Sequence, residues 1–99
     1  MKGNFNSIIN SGTPVLVDFF AEWCGPCKTQ SPILIDVTRT LNGKIKVIKI
    51  DVDKNPEIAA RYQVRGVPTL ALFKNGQTVW RQSGVMDKNT LIHTLNNYL

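Results

Sequence analysis

The chain contains two cysteines, Cys24 and Cys27, separated only by Gly25 and Pro26. Thiols at this spacing have three uses: a structural cross-link, half of a metal site, or a redox pair. A cross-link closing so short a loop would remove little entropy from the unfolded chain, and a reducing cytoplasm would tend to open it. A structural zinc site takes four ligands, usually Cys or His. With His93 as the single histidine, one chain falls short, and zinc or an iron–sulfur cluster would require two chains to share the pair. A redox dithiol needs a thiolate that attacks and a second thiol that resolves. If Cys24 opens a helix, free backbone N–H groups and the helix dipole stabilise its thiolate. Pro26 then falls in the first turn, where its missing N–H is not needed. Cys27 lies on the same face, placed to resolve a mixed disulfide. The redox use fits best; a shared metal and inert thiols stand as alternatives.

The flanking sequence supplies the elements that such a pair requires. Val15-Leu16-Val17-Asp18-Phe19-Phe20 is a short β-branched and aromatic run, apolar on both faces, as in a central strand covered on both sides. Ile33, Leu34, Val37 and Leu41 recur at helical spacing after the cysteines, and Asn42-Gly43 ends that helix. Before the strand, Asn4 to Asn10 reads as a short helix with Phe5, Ile8 and Ile9 on one face. After it come a β-rich run, Ile45 to Val52, and a helix opened by Asn55 as N-cap, Pro56 and Glu57. This β-α-β-α order implies a parallel strand pair joined by a crossover helix. The second half is different: Thr69 to Phe73, a turn centred on Asn75-Gly76, and Thr78 to Gln82 make an antiparallel hairpin. Asp87 caps a last helix with Leu91, Ile92, Leu95 and Leu99 on one side. His93 falls on the polar side and is given no role.

The 99 residues, 42% hydrophobic and 19% charged, suit one folded α/β domain over residues 1–99, with no linker or repeat. The net charge of +5 is dispersed, without a basic block or an aromatic stripe. That pattern fits a solvated surface and weak steering toward acidic proteins, not nucleic-acid binding. No apolar run approaches the roughly 20 residues that span a bilayer. MKGNFNSIINSG has no apolar signal-peptide core, so the expected location is cytoplasmic.

LVDFFAEWCGPCK, followed in order by PIL, DVDKNP, YQVRGVPTL, FKNG and Gly84, resembles the thioredoxin family from about Phe5 to Leu99. The resemblance implies a thioredoxin fold and a protein-disulfide reductase that cycles between dithiol and Cys24–Cys27 disulfide, with no other cofactor. Cys24 would be the exposed nucleophile, Cys27 the buried resolving thiol, and Trp23 a surface flank that shields them. Asp18 would be a buried carboxylate beneath the disulfide, its pKa raised by burial, accepting the Cys27 proton. Lys49 would pair with Asp18. Pro68 would be a cis-proline facing the cysteines, and Val67 would offer backbone groups to an extended substrate. Gly25, Pro26, Gly66 and Gly84 would complete the substrate surface, and Pro32 would kink the active-site helix. The implied partners are disulfide-containing proteins and a reductase that returns electrons; the chain is expected to be a monomer. An oxidase or isomerase of the same fold is the alternative, although Gly25-Pro26 resembles reducing members.

The chain departs from the family at three places. Only four residues precede Phe5, so the family's first strand is expected to be missing, giving a four-stranded mixed sheet of lower stability. Ile45 to Val52 would then be an edge, protected by Lys44, Lys46 and Lys49. Phe20 stands where relatives carry a tryptophan. Thr29-Gln30-Ser31 is more polar than usual, which suggests an altered substrate surface or altered recognition by a reductase.

Overall fold

The computed structural model describes residues 4–99. A short helix α1 (Phe5–Ile9) leads into strand β1 (Val15–Phe20), and the cysteines open helix α2 (Gly25–Leu41). Strand β2 (Lys46–Asp51), helix α3 (Pro56–Arg61), strands β3 (Thr69–Lys74) and β4 (Gln77–Ser83), and helix α4 (Lys88–Asn96) follow. The four strands form one mixed sheet in the order β2-β1-β3-β4. β1 pairs parallel with β2 and antiparallel with β3, so the strand that leads into the cysteines is bonded on both sides.

Alternation along β1 splits the core into two layers. Val15, Val17 and Phe19 pack against Phe5 and Ile9 of α1 and Ile58 of α3. Leu16 faces the other way, against Leu34, Val37 and Leu41 of α2 and Leu91 and Leu95 of α4. Asp18 has the parity of Leu16. Its register partner Leu70 also belongs to that second layer, so the carboxylate points under α2.

Each turn has a local cause. Asn42 adopts a left-handed conformation with φ 43° and ends α2 through its N–H to Thr38 O. Asn75 and Gly76 both have positive φ, as the tight β3–β4 hairpin requires. A Cβ on Gly76 would also collide with the Asn10 side chain of the α1 terminus. Asp87 caps α4 by accepting from Thr90 N–H at 2.9 Å. Asn55 occupies the N-cap position of α3, and its Nδ2 donates to Asp51 O at 3.0 Å.

The structure changes one of these expectations and holds another. Leu99 does not share the buried face of α4: the helix ends at Asn96, and Leu99 is 44% exposed. β2 lies at one edge of the sheet, with Lys44, Lys46 and Lys49 exposed along it. The expected absence of a strand before α1 concerns residues 1–3, which lie outside the described residues. Among the described residues, no helix is long and apolar enough to cross a membrane.

Candidate active site

β1 ends at Phe20, and after four intervening residues the chain enters α2 at Gly25. Cys24 has an extended backbone and sits at the N-cap, where its Sγ accepts a hydrogen bond from Cys27 N–H at 3.1 Å. A side chain that caps a helix in this way receives a backbone donor and the positive end of the dipole together. Cys24 and Cys27 are joined as a disulfide, with Cα atoms 5.3 Å apart. Pro26 lies in the first helical turn, and α2 continues past Pro32 to Leu41.

Cys24 is not the exposed residue that the resemblance implied: Cys24 and Cys27 are each only 3% exposed. The cause is packing. The two cysteines form a small apolar cluster with Ala21, and Phe20, Val52 and Val67 close around it. Trp23, in contrast, is 72% exposed, and its Nε1 donates to Asp53 Oδ2 at 2.8 Å. The indole is thus a surface flank and not a core residue. The sequence reading gives Asp53 no role at the site. Its position is set by Asp51, a buried carboxylate whose Oδ1 accepts from Asp53 N–H and Lys54 N–H. An aspartate that bonds the backbone two residues on makes such a turn, so Asp51 is the signal for the turn and nothing local singles out Asp53.

Val67 joins the cysteine cluster from the loop that leads into β3. The Val67–Pro68 peptide bond is cis. Thr69 Oγ1 donates to Gly66 O at 2.7 Å, and Gly84 N–H donates to Pro68 O at 2.9 Å. Gly84 has φ +89°, where a side chain would be strained; Gly66 and Gly25 have open space where a Cβ would be. Gly25, Pro26, Gly66 and Gly84 are all exposed. Trp23 and Pro26, Val67, and Gly84 thus come from three separate stretches of the chain.

Asp18 is fully buried, and neither carboxylate oxygen has a hydrogen-bond partner. Desolvation raises its pKa from 3.8 to about 6, against the opposing pull of the Lys49 charge. Lys49 is the β2 register partner of Asp18. It does not make the expected ion pair: its Nζ donates to Ser31 Oγ on α2 and lies 4.6 Å from the centre of the Phe20 ring. A cation stacked on an aromatic face and bonded to a hydroxyl is stabilised without touching the carboxylate. Phe20, Ser31 and Lys49 line a pocket of about 260 Å³ with Ala21, Glu22, Cys27 and Lys28. That pocket brings solvent to the flank of Cys27.

Thr29-Gln30-Ser31 does not form a single altered surface. Thr29 is exposed, Ser31 receives Lys49, and Gln30 is fully buried. Gln30 bonds the backbone of Met86 twice, through Met86 N–H to Oε1 at 2.8 Å and through Nε2 to Met86 O at 3.1 Å. Among the described residues, no three His, Cys, Asp or Glu side chains come together as metal ligands.

The thioredoxin family model matches residues 1–97. A thioredoxin of Rickettsia felis is 46% identical over 89 residues, covering 90% of this chain and 85% of that protein. A thioredoxin of Pyropia yezoensis is 48% identical over 92 residues, covering 93% of this chain and 86% of its own. A solved mutant thioredoxin from Halobacterium salinarum superposes with a TM-score of 0.90 at 36% identity, covering 99% of this chain and 85% of that one. On sequence and structure alike, the chain belongs to the thioredoxin family.

Proposed function

We propose that the chain is a thiol-disulfide oxidoreductase that reduces disulfides in protein substrates through Cys24 and Cys27. The observation that carries this is the disulfide at the start of α2, with a backbone N–H on the Cys24 sulfur and a buried, unpartnered carboxylate beneath the helix. In the reduced chain the Cys24 thiolate attacks one sulfur of a substrate disulfide. That sulfur bonds to Cys24, and the other leaves as a thiolate and takes a proton from water. Cys27 then loses its proton to Asp18 and attacks the Cys24 sulfur. The second substrate thiolate leaves, and two electrons have passed to the substrate. A carboxylate that titrates near 6 is mainly ionised at neutral pH and is basic enough to hold a proton in transit.

Lys49 tunes this acceptor through its field. Trp23, Gly25, Pro26, Gly66, Val67 and Gly84 form the docking surface, with the buried Pro68 beneath it, and an extended substrate pairs with backbone groups beside Val67. A separate reductase restores the dithiol, and the chain works as a monomer in the cytoplasm. No further cofactor is invoked. Insulin reduction with dithiothreitol as electron source tests this proposal: the native chain accelerates it, and Cys24→Ser does not. A Cys24→Ser protein with native turnover would sink the mechanism. Reduction potential distinguishes the reductase from an oxidase of the same fold, which would be more oxidising.

A further inference from the structure

Four polar side chains are buried among the described residues: Asp18, Gln30, Asp51 and Thr69. Asp51 and Thr69 organise the loops at either side of the disulfide, and Asp18 serves the chemistry. Gln30 stands apart from the reacting atoms. It lies on the inner face of α2, one turn beyond Cys27, and reaches a segment 56 residues away in sequence. Its amide donates to and accepts from the same backbone unit, as one strand does to another. Two bonds from one planar group fix both distance and orientation, which a single bond or an apolar contact would not.

The segment held in this way is Gly84-Val85-Met86. Gly84 N–H is bonded to Pro68 O, and Val85 is 43% exposed beside it. Pro68 in turn precedes Thr69, whose hydroxyl holds Gly66 O. The loops on the far side of the docking surface are therefore tied to one another and, through Gln30, to the helix that carries the cysteines. We infer that Gln30 is a positioning residue: it registers the Gly84–Met86 segment against α2 and thereby sets affinity for extended polypeptide substrates, leaving exchange with small disulfides to the cysteines. This inference rests on the disulfide-exchange function proposed above.

The test is Gln30→Leu, with Gln30→Met as a second, unbranched replacement. Three quantities are read: steady-state insulin reduction, the second-order rate of the pre-reduced chain with hydroxyethyl disulfide, and hydrogen exchange at the Met86 amide. The expected result is a KM for insulin raised about 3- to 10-fold with kcat held, as for loss of a ground-state docking contact. The rate with hydroxyethyl disulfide stays within about twofold, and Met86 exchanges faster in the variants than in the native chain. An unchanged KM in a folded variant overturns the inference, as does an equal loss on both disulfides. A Met86 amide already unprotected in the native chain overturns it without any variant. A native chain inactive on both disulfides would instead count against the exchange function itself.

Discussion

Asp18 and Gln30 are equally sealed from solvent and sit on opposite sides of the layer between the sheet and α2, yet the fold treats them in opposite ways. Both ends of the Gln30 amide are bonded to Met86, while neither oxygen of Asp18 has a partner. A satisfied buried amide costs little and fixes geometry; an unsatisfied buried carboxylate costs free energy and fixes none. Burial alone therefore does not separate a structural polar group from a functional one. The hydrogen-bond inventory does, and here it assigns Gln30 to architecture and Asp18 to chemistry.

The largest expected effect comes from removing the unsatisfied group. The folded chain binds the Asp18 proton more tightly than the unfolded chain, because the pKa rises from 3.8 to about 6. Stability from this residue is thus fully present below pH 3.8 and falls as pH rises through about 6. The rise corresponds to about 3 kcal/mol. Asp18→Asn should therefore be more stable than the native chain by about 3 kcal/mol at pH 8, with the gap closing by about pH 4 in urea titrations. The same substitution should slow resolution of the mixed disulfide by about 10²-fold or more, since the proton acceptor is gone. Lower stability for Asp18→Asn at pH 8 would break the contrast with Gln30.

Gln30→Leu is expected to have the opposite sign, a loss of about 1–3 kcal/mol, because Met86 N–H and C=O lose their partner. That loss should be flat between pH 5 and 8, since no ionisable group is removed. Lys49→Met sharpens the Asp18 side. Without the nearby ammonium the Asp18 pKa rises further, so the fall in stability moves to higher pH, readable from the midpoint of urea curves against pH. The smallest effect is expected from Trp23→Phe. It deletes an exposed bond to Asp53, and should cost less than about 1 kcal/mol in thermal unfolding.

Local signals in the sequence carried most of the fold. The apolar run of β1, the Asn75-Gly76 turn and the Asp87 cap are each set by a few adjacent residues, and the structure holds all three. The cysteine spacing was equally legible, because three residues on a helix define one face. What could not be read is long-range. Gln30 looked like part of a polar surface because nothing near it in sequence reveals Met86. The family resemblance implied Lys49 as the partner of Asp18, and the register does place them side by side, but Ser31 and the Phe20 ring take the ammonium from α2 and β1. The resemblance implied an exposed Cys24; its packing by Phe20, Val52 and Val67 is visible only once three separate segments meet. Leu99 fitted the helical period, but the helix stops before reaching it.

The central claim is that Cys24 attacks and Cys27 resolves, and trapping tests it most directly. Cys27→Ser, reduced and mixed with insulin, should accumulate a mixed disulfide that peptide mass mapping places on Cys24. Cys24→Ser treated in the same way should accumulate little. An adduct that forms chiefly on Cys27 in Cys24→Ser, or no adduct at all on Cys24 in Cys27→Ser, would contradict the assignment of attacking and resolving thiols.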